Sequence, residues 1–149
     1  MMRLDKYLTL CGFGTRAQAR ALLPAGTVTF FGACPDVADR IRRAGLFALG
    51  SAFEGMPNAL IEAMALGLPC VATDCPCGGP AALIEHGQNG LLAPVGDAEA
   101  FAAALSRLAD DPALAAALGR QARDIATRLD VRRVAGEWRD YLASCCASR

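Results

Sequence analysis

Short apolar runs alternate along this chain with stretches whose apolar residues recur every three or four positions. A chain patterned so can bury both kinds of segment as a parallel sheet covered by helices. The runs Val28 to Phe31, Leu46 to Leu49, Cys70 to Thr73 and Leu91 to Ala93 are the predicted strands. Between them Val37 to Arg43 and Asn58 to Leu66 are predicted helices, the second entered by Pro57 near its first position and ended at Gly67. Ala81 to Glu85 supplies a helical turn or two, and Gly87-Gln88-Asn89-Gly90 is turn chemistry with glycines able to take positive φ. The rest is helical. Asp97 caps a helix with Phe101, Leu105 and Leu108 along one face, and Asp111-Pro112 starts another carrying Leu114, Leu118, Ile125 and Leu129. Asp130 caps the last, whose Val131, Val134, Trp138 and Leu142 make Trp138 a predicted core anchor. Ahead of the sheet, Leu4 to Cys11 and Arg16 to Leu23 read as two short helices, and Pro24-Ala25-Gly26 marks a boundary between segments 1–26 and 27–149. The class expected is α/β.

Fifteen basic and fifteen acidic side chains cancel, so no overall field singles out nucleic acid, an anionic membrane or an acidic partner. At 149 residues and 54% hydrophobic content, the chain can bury one domain-sized core. Seven cysteines are an odd number, and with no signal peptide or spanning run ahead of them they read as reduced thiols of a cytoplasmic protein. Cys75-Pro76-Cys77 is the only close pair besides Cys145-Cys146, and His86 is the only histidine. That completes no zinc ligand set, and neither a metal nor a cofactor is expected. His86 opens a turn and reads as a surface turn residue rather than a base.

The run from Ser51 to Met64 follows a strand and opens a helix, the place where α/β sheets bind ligands at their carboxyl edge. A helix N-terminus presents unpaired N–H groups and a partial positive charge, and Gly55 lets backbone approach a phosphate closely, so Gly55 to Ala59 can cradle a diphosphate. Glu62, about one turn inside, can accept hydrogen bonds from two ribose hydroxyls, while Glu54 in the loop points toward the sugar end. The same spacing suits a well-capped amphipathic helix with two solvated glutamates equally well.

The segment resembles the glutamate, seven residues, glutamate motif of group 1 retaining glycosyltransferases, with Glu54 and Glu62 in the two positions. The likeness runs from Val28 to about Leu142. It takes in Val28-Thr29-Phe30-Phe31-Gly32, then Gly67-Leu68-Pro69 through Cys77-Gly78-Gly79-Pro80, then Ile84-Glu85-His86-Gly87 and Pro94-Val95-Gly96-Asp97. It implies a truncated Rossmann-like parallel sheet of about four strands flanked by helices, the donor half of an enzyme with two such domains. By that resemblance Glu54 is the candidate catalytic residue beside the donor sugar. Gly55, Met56, Pro57, Asn58, Ala59 and Leu60 hold the diphosphate, Glu62 holds the ribose, and the loop bearing Gly78 and Gly79 shapes the site. The reaction implied is transfer from a nucleotide-diphosphate sugar to a sugar or lipid-linked acceptor, with retention, in polysaccharide biosynthesis. The place implied is the cytoplasm or the inner membrane face.

Gly45 and Gly50 stand where the family usually has Asp and Pro, which loosens the ends of the Leu46 to Leu49 strand without removing a ligand. The resemblance also implies, ahead of that strand, two further strand–helix units with an Arg and a Lys that neutralise the departing diphosphate, and ahead of those an acceptor domain; none of these is expected among the 149 residues. The expectation is therefore a remnant that holds a donor weakly and is inactive alone, or a non-catalytic nucleotide binder. Its Val28 to Phe31 strand must pair directly with Leu46 to Leu49 or expose two unpaired edges.

Arg3-Leu4-Asp5-Lys6-Tyr7-Leu8, Cys11-Gly12, Gly14-Thr15-Arg16 and Ala19-Arg20 also resemble the start of the αL RNA-binding module of ribosomal RNA pseudouridine synthases, continuing through Gly26 to Gly32. In this alternative, Arg3, Lys6, Arg16 and Arg20 face RNA phosphates. Two ordinary amphipathic helices with solvated charges fit the same residues, and a join at the shared Val28 strand would account for both resemblances. The RNA reading predicts salt-dependent retention on ribosomal RNA that disappears when residues 1–26 are deleted, measured by filter binding across a salt series. Retention that survives the deletion excludes it.

Overall fold

The structure, a computed structural model, describes residues 34–147 together with Thr29 and Phe31. The two predicted N-terminal helices, the residues Arg3, Lys6, Arg16 and Arg20, and Val28 and Phe30 of the predicted first strand lie outside the described residues. The chain divides into two compact units, Met1–Val37 and Ala38–Arg149. In the first, the Cys34 thiol donates to the Phe31 carbonyl at 3.5 Å.

The second unit is built on strands β1 (Phe47–Leu49), β2 (Cys70–Asp74) and β3 (Leu91–Pro94), all parallel and in the order β1-β2-β3. Three strands thus stand among the described residues where about four were expected. Helix α1 (Val37–Ile41) precedes β1, α2 (Asn58–Ala65) crosses from β1 to β2, and α3 (Gly79–Leu83) lies between β2 and β3. Helices α4 (Ala98–Asp110), α5 (Pro112–Ala122), α6 (Ile125–Arg128) and α7 (Val131–Ala147) follow.

Because successive strand residues point to opposite faces, β2 carries both halves of the core. Cys70 and Ala72 pack with Leu60, Ala63 and Met64 of α2 and with Leu83, Ala122 and Ile125. Val71 points the other way, to Leu91, Leu108, Ala115 and Leu118, with Phe101 and Leu105 of α4 beside them. Burial pushes the Cys70 thiol up to about 12, and it donates to the Leu68 carbonyl at 3.2 Å, so it serves as a small neutral core residue.

Local chemistry sets the element ends. After α2, Gly67 takes φ +79°, its N–H bonds the Met64 carbonyl at 2.9 Å, and the Leu68 N–H reaches back to Ala63 at 3.1 Å, the paired bonds of a Schellman ending. The three expected aspartate caps form. Asp97 accepts from Ala100 N–H at 2.8 Å, Asp111 from Leu114 at 2.9 Å, and Asp130 from Arg132 at 2.9 Å. Helix α3 starts at Gly79 rather than Ala81, because Gly78 at φ +76° turns the chain and Pro80 suits a first turn.

Two expectations are corrected. The segment from Pro112 is not one helix: it breaks at Arg123-Asp124, although α5 itself already passes from the cluster of Ala115 and Leu118 to that of Cys70 and Ala72, which Ala122 joins ahead of the break and Ile125 after it. Trp138 is no core anchor, being 61% exposed, with Tyr141 and Leu142 exposed beside it. Both sheet faces are already closed by α2 and by α4 with α5, so the apolar stripe of α7 finds little left to cover among the described residues. Trp138 meets Tyr141 edge to face at 6.1 Å instead.

Where α5 crosses the α2–β2 turn there is no room for a side chain. A Cβ on Gly119 would lie 2.3 Å from the Gly67 carbonyl oxygen, and both partners are backbone. Gly119→Ala is therefore expected to lower stability by about 1–3 kcal/mol, seen as a reduced urea midpoint, despite alanine's better helix propensity.

Candidate active site

The site begins where β1 and β2 part. Their backbone pairing ends at Leu49 with Ala72, and the next residue of β2, Thr73, continues the connection with its side chain. Its hydroxyl donates to the Ser51 carbonyl and lies 3.3 Å from that of Leu49. The buried Cys75 thiol donates to the same Ser51 carbonyl at 3.3 Å, and the Cys77 thiol donates to the Glu54 carbonyl. Gly79 completes the seam: a Cβ there would fall 1.6 Å from the Gly55 carbonyl oxygen and 2.8 Å from that of Glu54. The loop after β1 is thus laid directly on the loop after β2.

Along this braced loop Glu54 is half-buried, with its Oε1 accepting the Ser51 hydroxyl proton at 2.7 Å. Gly55 and Met56 are exposed, and Pro57 is buried at the N-cap of α2. Contrary to a well-capped helix, no side chain caps α2 and no acidic residue stands in its first turn. The Pro57 carbonyl takes the Leu60 and Ile61 N–H groups at 3.0 and 3.1 Å, which leaves Asn58 and Ala59 as the first-turn amides without an intrahelical acceptor. Asn58 and Ala59 are exposed, whereas the Leu60 side chain is fully buried in the core. Glu62 is exposed on the same helix. Such an arrangement presents bare amides and the positive end of a helix dipole to an anion, flanked by one carboxylate in the loop and one on the helix.

Of the expected site residues, Gly78 turns the chain into α3 and Gly79 touches the Glu54–Gly55 backbone. His86 plays a local part, its Nδ1 accepting the Leu92 N–H at 3.0 Å across the turn before β3. An open groove of about 640 Å³ lies elsewhere, lined among others by Leu83, Glu85, Gln88, Asp124 and Arg128 and by none of the cradle residues. Among the described residues no three His, Cys, Asp or Glu side chains group as a metal site, and no helix is long and apolar enough to cross a membrane.

Residues 2–111 match the family of glycosyl transferases group 1. The chain belongs to that family. The match runs from the N-terminal segment through the cradle and α4. This group 1 glycosyl transferase is 49% identical over 74 residues to the amylovoran biosynthesis glycosyltransferase AmsK of Erwinia amylovora, covering 50% of this chain and 18% of AmsK. To the lipopolysaccharide 1,6-galactosyltransferase of Salmonella typhimurium it is 40% identical over 72 residues, covering 48% of this chain and 20% of that protein. Its fold superposes on Anabaena HepE, crystallised in complex with UDP, with a TM-score of 0.78 at 28% identity, covering 86% of this chain and 35% of HepE. The chain thus spans about a fifth to a third of the length of these relatives.

Glu54 lies in the loop and Asn58 to Glu62 on the helix that follows, the placement expected from the sequence, whereas the fastening of the loop by Ser51, Thr73, Cys75 and Cys77 is not visible in the sequence pattern. Polar residues at the carboxyl end of two neighbouring parallel strands were the available signal. For Gly79→Ala the contact geometry predicts a displaced Gly55 carbonyl, hence faster amide exchange across residues 51–56 with α4 unchanged, measured by hydrogen–deuterium exchange. Unchanged protection of residues 51–56 would contradict the seam.

Proposed function

We propose that this chain binds the donor of a glycosyl transfer, a nucleotide-diphosphate sugar, for delivery to a sugar or lipid-linked acceptor in polysaccharide synthesis. The observation that carries the reading is the uncapped first turn of α2, set beside a loop braced on its neighbour. A diphosphate there accepts hydrogen bonds from the Asn58 and Ala59 amides, and Gly55 and Met56 leave room for its approach. Pro57 and Leu60 contribute by packing, since both side chains are buried. Glu62 receives the ribose hydroxyls, and Glu54 receives the sugar. Gly78 and Gly79 keep the second loop low enough for the first to lie on it.

In physical terms the site stabilises negative charge as it builds on the departing diphosphate, with oriented amides that need no rearrangement when the bond breaks. HepE, the UDP-bound structure of similar fold, supports a uridine nucleotide as the first ligand to try. The names of AmsK and of the Salmonella galactosyltransferase support a surface polysaccharide as the product.

Titration calorimetry of the chain with UDP tests the site. Glu62→Ala is expected to weaken binding about tenfold, the scale of losing hydrogen bonds to a charged acceptor. Equal heats and affinities for the two proteins would sink the ribose assignment.

A further inference from the structure

We infer that Ser51 is a positioning residue for Glu54, holding one carboxylate oxygen so that the other is turned toward a hydroxyl of the donor sugar. The inference rests on the reading of Glu54 as the sugar-end carboxylate. Its own basis is a chain of contacts that begins in the sheet. The Ser51 carbonyl is gripped twice from β2 and the residues after it, by the Thr73 hydroxyl and by the Cys75 thiol at 3.3 Å. Both of those side chains are buried, Thr73 at 6% exposure and Cys75 at 1%. The Ser51 backbone is therefore tied to the most deeply buried strand, and its side chain inherits that anchorage.

From there the Ser51 hydroxyl donates to Glu54 Oε1 at 2.7 Å, a short charge-assisted bond spanning three residues of loop. The Glu54 backbone is held separately, its carbonyl accepting the Cys77 thiol and lying against Gly79. With main chain and one carboxylate oxygen both fixed, the side chain loses most of its rotamer freedom before any ligand arrives. Among the described residues no other hydrogen bond is made to that carboxylate, so Oε2 keeps its lone pairs for an incoming hydroxyl. A long glutamate on a loop would otherwise have to be ordered by the sugar itself, at a cost to affinity.

Calorimetry of the full chain with UDP and with UDP-glucose separates this role from simple loop stability. Ser51→Ala is expected to weaken UDP-glucose binding about three- to tenfold and leave UDP binding unchanged, and Ser51→Thr, which keeps the hydroxyl, is expected to restore it. Glu54→Gln, run alongside, is expected to show the same selective loss. An equal fall for both ligands, no fall, or a Thr variant that behaves like Ala overturns the positioning role while Glu54→Gln still shows its loss. If Glu54→Gln leaves UDP-glucose binding untouched, the sugar-end reading has failed and the inference falls with it. A wild-type chain that binds neither ligand overturns both.

Discussion

Parallel strands that diverge leave a crevice at their carboxyl ends, and the structure of this protein depends on how that crevice is bridged. Between β2 and β3 the backbone pairing continues through Thr73 with Ala93 and Asp74 with Pro94, whereas between β1 and β2 it stops at Leu49 with Ala72. Beyond that point the Thr73 hydroxyl takes over from backbone N–H groups, reaching the Ser51 carbonyl as β1 turns away. Thr73 is also the one buried polar side chain among the described residues, and the bond it makes offsets the cost of burying it. Joined by the Cys75 thiol on the same carbonyl, that side chain converts a strand end without further backbone pairing into a fixed loop.

The geometry downstream follows from that attachment. Once Ser51 is fixed, the loop has only a few residues in which to reach α2, and it does so pressed against Gly79, where backbone meets backbone. Helix α2 is oriented independently by Leu60, Ala63 and Met64, all without exposed surface. Loop and helix are thus held by different parts of the same core, and the amides of Asn58 and Ala59 sit where the two constraints meet. An anion site made of backbone amides needs such an arrangement, because no side chain is there to adjust for a misplaced amide.

What was legible in the sequence is what is decided locally. Asp97, Asp111 and Asp130 cap helices because an aspartate can bond amides two or three residues on, and Gly67 ends α2 because the αL region is open to glycine. The strands near Cys70 and Leu91 announced themselves as apolar runs. Trp138 departs from the core role its spacing suggests, because a three- and four-residue spacing shows that a helix has an apolar face and says nothing of whether a partner covers it. The break at Arg123-Asp124 is equally invisible to spacing, since the residues on either side suit a helix and Ala122 and Ile125 join the same core across it. The bonds from Thr73 and Cys75 to Ser51 cross 22 and 24 residues of sequence, a span over which periodicity carries no information.

Cys75 and Cys77 show how differently one residue type can serve within one loop. Cys75 is buried and bonds the carbonyl that Thr73 also holds, so it reinforces an existing attachment. Cys77 is exposed, yet its thiol reaches the Glu54 carbonyl, so it acts on the far end of the same loop. With Gly79 at the start of α3 laid against the Glu54–Gly55 backbone, the two thiols and the threonine grip the loop at both ends, and its middle, Ala52 and Phe53, stays exposed. A loop pinned at its ends has one way to carry Glu54. The backbone of Glu54 and one of its carboxylate oxygens are therefore held from the sheet before any ligand is present.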